Sequence, residues 1–418
     1  MGGKLQEGDD LTPLCCSHTN LFSIHTHTNS TQKTPFLRAS DLNGASDDGD
    51  SKSQQLSTLS KTTKKPRIID LSQDIPQDKA AMASSPGAAA IEKAAKRDPN
   101  IRSVIVLEHG NVVSSYYRDD VDPNEGALAW SLTKSWTSLI FGIMVDEGLL
   151  SVDETLGDIF PADSVWADVT DGSVDFRKSA TVEEILTMTS GLVDNAEDPN
   201  GHNSCGGGCF LEDSLSIPDI GVKGEFSYLT VSNIPSYIIQ ERTDMTPRQY
   251  LAKHVMSKLG IGEDEYHWGQ NEDGVEMAFA YMFLKPMQLA KFGQLYLQGG
   301  RTNPSNDERV ISQKWIDASF TEHVVGANDM LPTSFPYGYF FYNLFGSAWC
   351  AIGHGGQYVC VNRDLGRVVI QQRDILEGGI KNFDDFPVPT ALNGSLSFRA
   401  DAAADGVLGS SHVSIEEY

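Results

Sequence analysis

The sharpest chemical pattern in the chain is Ser131-Leu132-Thr133-Lys134. A serine hydroxyl is a weak nucleophile until a neighbour takes its proton. Positions i and i+3 share one face of a helix, so at a helix start Ser131 and Lys134 point the same way, within hydrogen-bond reach of each other. The helix N-terminus adds positive potential where negative charge develops on the serine oxygen and the attacked carbonyl. Burial of Lys134 among apolar neighbours would depress its pKa and fit it to act as a base. The chemistry such a pair could do is acyl transfer through a covalent serine ester. Ser-x-x-Lys alone is common by chance, so the surrounding elements must carry the case.

Those elements are legible. After Lys134, apolar residues recur at Trp136, Leu139, Ile140, Ile143 and Met144, the spacing of one helix face, and Gly148 marks the end. Thr181 with Glu184 forms a capping-box pattern ahead of Ile185 and Leu186, with Gly191 as a stop. Thr246, Pro247 and Gln249 open another helix expected to reach Gly260, and a further one is expected from Pro286 to Gln298. A helix near 88–97 precedes strands at 103–108 and 112–117, joined by His109-Gly110-Asn111 with glycine suited to positive φ. A second hairpin pattern covers 357–361 and 367–372. Strands at both ends with helices between predict an α+β fold: one antiparallel sheet of N- and C-terminal strands, flanked by helices, with a mainly helical insert over about 150–335. Residues 86–392 are expected to form this domain. Residues 1–85 read as a poorly ordered polar tail, in which PRIIDL near Ile68 could dock, and 393–418 as a second polar tail.

SLTKSWTSLIFGIMVDEGLLSVDETLGDIFP, from Ser131, resembles the nucleophile helix of the serine β-lactamase and penicillin-binding-protein superfamily. It is most similar to the branch holding class C β-lactamases, esterases, D-amino-acid peptidases and 6-aminohexanoate-oligomer hydrolases. TVEEILTMTSGL (181–192) is similar to the second helix of that family, and LAKFGQLYLQGG (289–300) to a late one, so the resemblance runs from about Ile101 to Asp374. It implies a β-lactamase/transpeptidase-like fold with Ser131 as nucleophile and Lys134 as its base. It implies a Tyr-x-Asn or Tyr-x-Ser motif facing the serine, met here by Tyr228-Leu229-Thr230 with a departure at Thr230, whose hydroxyl lacks the reach of an amide. The Tyr228 phenol would relay a proton between serine and leaving group, its pKa lowered by the nearby lysine ammonium.

The third family motif, Lys-Thr-Gly or His-x-Gly on an edge strand, falls at His354-Gly355-Gly356-Gln357. The glycines would let substrate lie close to the strand, and the oxyanion hole is expected from the backbone N–H groups of Ser131 and Gln357. His354 replaces a fixed cation with a titrating one, which favours an ester or linear amide over a penicillin-like carboxylate. Neither a metal nor an organic cofactor is implied. The rival readings are a β-lactamase or D-amino-acid peptidase with the same machinery, and a catalytically idle binding or assembly protein of the same fold.

Composition narrows the partners. The chain has 418 residues and a formal net charge of −25, which disfavours nucleic acid and anionic membranes; a small-molecule substrate is expected. No stretch approaches the ~20 apolar residues of a membrane helix, the start does not read as a secretory signal, and Gln6 spoils a myristoylation pattern at Gly2; a cytoplasmic location is the default. Nothing specifies an oligomeric state. Six cysteines are too few for a disulfide scaffold. His202, Cys205 and Cys209 lack a fourth metal ligand, so a local disulfide or loop thiols are favoured there, while Cys350 and Cys360 read as core. Trp130, Tyr337, Tyr339 and Trp349 could wall an acyl pocket, although aromatics are more often core. Asp153, Glu154 and Asp158 read as helix-terminal or solvated charges, and the loop 194–219 as either a site rim or a surface insertion.

Overall fold

The computed structural model describes residues 67–84, 86–193, 210–216, 219–228, 233–326, 334–344 and 347–374. Two helices, α1 (Lys79–Ser84) and α2 (Pro86–Ala95), lead into strands β1 (Ile101–Glu108) and β2 (Asn111–Tyr117). A short strand, β3 (Ala127–Leu128), then delivers the chain to α3 (Thr133–Asp146). Beyond it come α4 (Leu156–Ile159), α5 (Val174–Lys178), α6 (Val182–Leu186), β4 (Leu192–Val193), α7 (Leu211–Leu215), β5 (Asp219–Ile220), α8 (Ile234–Thr243) and α9 (Pro247–His254). Strands β6 (His267–Trp268) and β7 (Met282–Leu284) precede α10 (Pro286–Leu297) and α11 (Gln313–Ser319). The chain closes with β8 (Val324–Gly326), β9 (Phe335–Tyr337), β10 (Tyr342–Asn343), β11 (Ala348–Gly353), β12 (Gln357–Asn362) and β13 (Arg367–Arg373).

The main sheet has eight strands in the order β2-β1-β13-β12-β11-β10-β9-β8, and its pairings are antiparallel. N-terminal β1 lies between β2 and the last strand, β13, so the two ends of the fold meet in one sheet. This is the α+β arrangement expected from the strand positions. Helices fill the stretch between, but short strands join them: β3, β7 and β6 form a second sheet that flanks the start of α3.

Local signals set most element ends. Thr181 and Glu184 cap α6 reciprocally, as do Thr246 and Gln249 at α9. The α9 helix stops at His254 rather than at Gly260; a separate 3₁₀ turn, Met256–Leu259, fills the gap and ends at Gly260 with φ 62°. The β1–β2 turn uses positive φ at both His109 (48°) and Gly110 (78°), the twist-matched geometry for a two-residue hairpin. Helix α3 is buried continuously from Thr133 to Met144, not on one face alone, with Trp136 stacked on Phe292 of α10 at 4.4 Å between centroids.

Two expectations are corrected. The segment from 67 onward is not tail: Ile69, Leu71 and Ile75 are core residues. Hydrogen bonds from Leu71 N to Thr302 O (2.8 Å) and from Ile69 N to the Gln298 side-chain Oε1 (3.1 Å) fasten it. Cys350 and Cys360 are buried, as read, but they are also directly opposite each other on β11 and β12 and form a disulfide. Such bonds ordinarily belong to oxidising compartments, so this one lends no support to a cytoplasmic location. Among the described residues, no helix is long and apolar enough to cross a membrane.

Candidate active site

Ser131 sits in a single 3₁₀ turn, Trp130–Leu132, that runs straight into α3. The residue before it, Trp130, is left-handed at φ 52°, an uncommon state for a bulky side chain. The entry is wedged from both sides. Ala129 N donates to Met282 O of β7 (2.8 Å), and the end of β11 comes so close that a Cβ on Gly353 would overlap the Ala129 carbonyl oxygen.

Lys134 lies in the first turn of α3 and is only 4% exposed. Its Nζ is 3.2 Å from Ser131 Oγ and donates to Phe279 O at 3.0 Å. Nζ also lies over two rings, 5.0 Å from the centroid of Tyr228 and 5.8 Å from that of Phe279. Phe279 belongs to a strap, residues 276–282, that clasps the start of α3. Thr137 Oγ1 donates to Ala278 O (2.8 Å), Met282 N donates to Thr133 Oγ1 (3.3 Å), and Trp268 Nε1 donates to Met277 O (2.8 Å). Sequence reading missed this strap, because its contribution at Phe279 is a carbonyl and any residue carries one.

Tyr228 arrives from α6. Ser227 N donates to Met188 O (2.8 Å) and Gly224 N to Thr189 O (2.9 Å), so the Thr189-Ser190-Gly191 ending of that segment carries the tyrosine. Burial pushes the Tyr228 phenol up to about 12, and its hydrogen bond with Ser131 only partly opposes this. The expected lowering by the lysine is therefore corrected: the cation faces the ring, while desolvation acts on the hydroxyl and penalises phenolate. Burial thus favours the protonated form of the Tyr228 hydroxyl. Thr230 lies outside the described residues, as do His202, Cys205 and Cys209 and most of the loop 194–219.

His354, Gly355 and Gly356 make the turn from β11 to β12, with φ 78° and 89° at the two glycines. The turn's carbonyls are held by side chains of β12 and β13. Gln371 Nε2 donates to Gly356 O (2.9 Å), Arg373 Nη1 to Gly355 O (3.4 Å) and Gln357 Nε2 to His354 O (3.4 Å). Gln357 also bridges to β13, its Nε2 donating to Arg373 O (2.7 Å) and its Oε1 accepting from Arg373 N (3.1 Å). The Gln357 side chain is thus tied to β13, and His354 lies against Trp130, ring to ring at 5.4 Å. Burial lowers the His354 pKa below its ordinary value, so the ring is neutral at pH 7.

Of the candidate aromatics, Trp130 is at the site and buried Tyr337 backs Phe226 beneath Tyr228. Tyr339 and Trp349 are elsewhere: Tyr339 donates to Glu183 (2.6 Å) and Trp349 stacks on Phe320. Tyr281, unmarked in the sequence, packs beside Trp130. Glu154 pairs with Arg242, and Asp158 completes the Thr155 cap. Two surface depressions, about 550 Å³ beside Arg248 and Glu276 and about 370 Å³ beside His254 and Arg309, are not lined by Ser131, Lys134, Tyr228 or His354.

The sequence model of the Beta-lactamase family matches residues 79–371. The 6-aminohexanoate-dimer hydrolase of Paenarthrobacter ureafaciens is 23% identical over 230 residues, 51% of this chain and 55% of that protein. The chain thus spans about half the length of this curated relative. Among solved structures, a family VIII carboxylesterase superposes with a TM-score of 0.54 at 15% identity, covering 74% of this chain and 98% of that one. A penicillin-binding protein homologue from Caulobacter crescentus gives 0.55 at 15% identity, covering 73% and 95%. These structural likenesses are likenesses of fold, and with the match over most of the described residues the chain belongs to the β-lactamase family of hydrolases.

Proposed function

We propose that the chain hydrolyses a carboxylic ester or linear amide through an acyl-enzyme on Ser131. The observation that carries this reading is the convergence of two partners on one oxygen: Lys134 Nζ at 3.2 Å and the hydrogen-bonded Tyr228 hydroxyl. Lys134, as the neutral amine, takes the proton of Ser131 Oγ while that oxygen attacks the carbonyl carbon. Tyr228, kept protonated by burial, gives its proton to the leaving oxygen or nitrogen as that bond breaks, and recovers one from Lys134. Water then attacks the acyl carbon with its proton passing to the same pair, and Ser131 departs reprotonated.

The oxyanion is assigned to backbone N–H groups, one from Ser131 at the N-terminal end of α3 and one from the β11–β12 turn. Gln357 was the expected turn donor. It is kept as that donor: its side-chain amide is anchored on Arg373 of β13, which fixes the residue while its backbone N–H serves the oxyanion. A neutral His354 supplies no fixed charge for a substrate carboxylate, which supports an ester or linear amide over a β-lactam. The names of the hydrolase and carboxylesterase relatives point the same way.

A fluorescent fluorophosphonate should mark the Ser131 peptide, read by mass spectrometry, and leave Ser131→Ala unmarked. Equal labelling of both, or none of either, with no turnover of a nitrophenyl ester panel, would favour an idle binding protein. Fast turnover of a chromogenic cephalosporin with inert esters would favour the β-lactamase reading. Tyr228→Phe should lower kcat by roughly 10²–10³-fold, the usual worth of a positioned acid–base group. With the phenol near 12, the wild-type rate should show no alkaline fall from Tyr228 below about pH 11. A limb near pH 8 that vanishes in Tyr228→Phe would show instead a low-pKa phenolate base.

A further inference from the structure

Two separate groups of aromatic rings each present one member to Lys134 Nζ, Tyr228 at 5.0 Å and Phe279 at 5.8 Å. Phe226, Tyr228 and Tyr337 form one group, linked by ring contacts of 6.4 and 5.1 Å. The other runs from Phe279 to Tyr281 (6.1 Å), to Trp130 (6.2 Å) and to His354 (5.4 Å). It begins at the residue whose carbonyl holds Lys134 and ends on the turn beside the nucleophile. Phe279 is buried, but Trp130, Tyr281 and His354 are each half-buried, presenting ring surface to solvent beside a reactive serine. Trp130 and Tyr281 are both left-handed, at φ 52° and 69°. Two bulky residues held in that strained region next to one serine indicate that the fold fixes where these rings point.

We propose that Trp130, Tyr281 and His354 form the wall that selects the acyl group, and that it takes an uncharged, flat apolar acyl chain of the arylacetyl kind. This rests on the acyl-enzyme reading above. The leaving group must lie toward Tyr228, which protonates it, so the acyl chain falls on the opposite, Phe279-to-His354 side. Flat rings stack or meet edge-on with such a wall. A carboxylate there would find Lys134 and Arg373 engaged: Lys134 is buried against Ser131 and Phe279 O, and Arg373 pairs with Asp98 at 2.7 Å.

Three nitrophenyl esters with one leaving group test it: acetyl, phenylacetyl and succinyl. The wild type should rank phenylacetyl above acetyl and succinyl last in kcat/KM. Trp130→Asn and Tyr281→Asn keep a residue type that tolerates left-handed backbone but remove the ring. Each should cut the phenylacetyl-to-acetyl ratio about tenfold, mainly through KM, and Tyr281→Phe should restore it. An unchanged ratio, or an equal fall for all three esters, would overturn the proposal. Should the variants misfold, the wild type decides alone: benzylboronic acid should inhibit about tenfold more tightly than methylboronic acid, and equal inhibition counts against the wall. A wild type that turns over no ester and takes no fluorophosphonate fails on the acyl-enzyme reading itself. One that hydrolyses the acetyl ester without acyl preference fails only on the wall.

Discussion

Ser131→Ala and Lys134→Met should each lower kcat/KM for a nitrophenyl ester by roughly 10⁴-fold or more, and the double variant should fall little further. Groups that act as one unit lose most of their effect when either is removed. Lys134 Nζ stands 3.2 Å from Ser131 Oγ, with no other described lysine or arginine bonded to that oxygen. Without the amine, the hydroxyl keeps its proton at neutral pH. Methionine preserves length and apolar bulk in a site where Lys134 is 4% exposed, but it leaves Phe279 O without its donor. Thermal midpoints measured beside the kinetics separate that stability cost, about 1–3 kcal/mol for one orphaned buried acceptor, from the loss of chemistry. Additive losses in the double variant, or a Lys134→Met enzyme retaining a tenth of the activity, would show that the proton goes elsewhere.

The second large effect concerns a residue with no side chain. Gly353→Ala should destabilise the fold by on the order of 3 kcal/mol, the cost of overpacking a tight contact, and should slow acylation by about 10²-fold. The added Cβ would overlap the Ala129 carbonyl oxygen and come within 3.0 Å of Gln357 Cβ. Ala129 has little room to yield, because its N–H is tied to Met282 O and the next residue is the strained Trp130. Any shift passes directly to Ser131, and displacements near 1 Å at a reacting group cost rates of this order. Gly148→Ala is the control. Gly148 has φ 72° but nothing within 4 Å of an added Cβ, so only the left-handed strain of about 1–2 kcal/mol remains and activity should hold. A Gly353→Ala enzyme with wild-type kcat would show that β11 need not approach the serine so closely.

The sequence by itself determined what depends on neighbours a few residues apart. The capping boxes at Thr181 and Thr246 were legible because both partners lie within one turn. So was the hairpin at His109-Gly110, and so was the shared face of Ser131 and Lys134. The antiparallel sheet followed from strand patterns at both ends of the domain. Tyr228 and His354 came to notice only through resemblance to a family, since no local pattern joins them to a serine so far along the chain.

Only the tertiary structure decided the rest, and in each case the reason is a partner distant in sequence. Helix α3 shows one apolar face in its periodicity but is buried on all sides, because the strap, α10 and the sheet enclose it. Cys350 and Cys360 looked like core thiols; the β11–β12 register set them opposite each other. Ile69 and Leu71 sit in a polar stretch, and only the groove they fill makes them core. The pKa of Tyr228 rises rather than falls because desolvation is a property of everything packed around the hydroxyl, not of the one cation the sequence suggested. Tyr281 and the Phe279 carbonyl carry no signature that sets them apart from ordinary core and backbone, so their place beside Ser131 and Lys134 became visible only once the chain had folded.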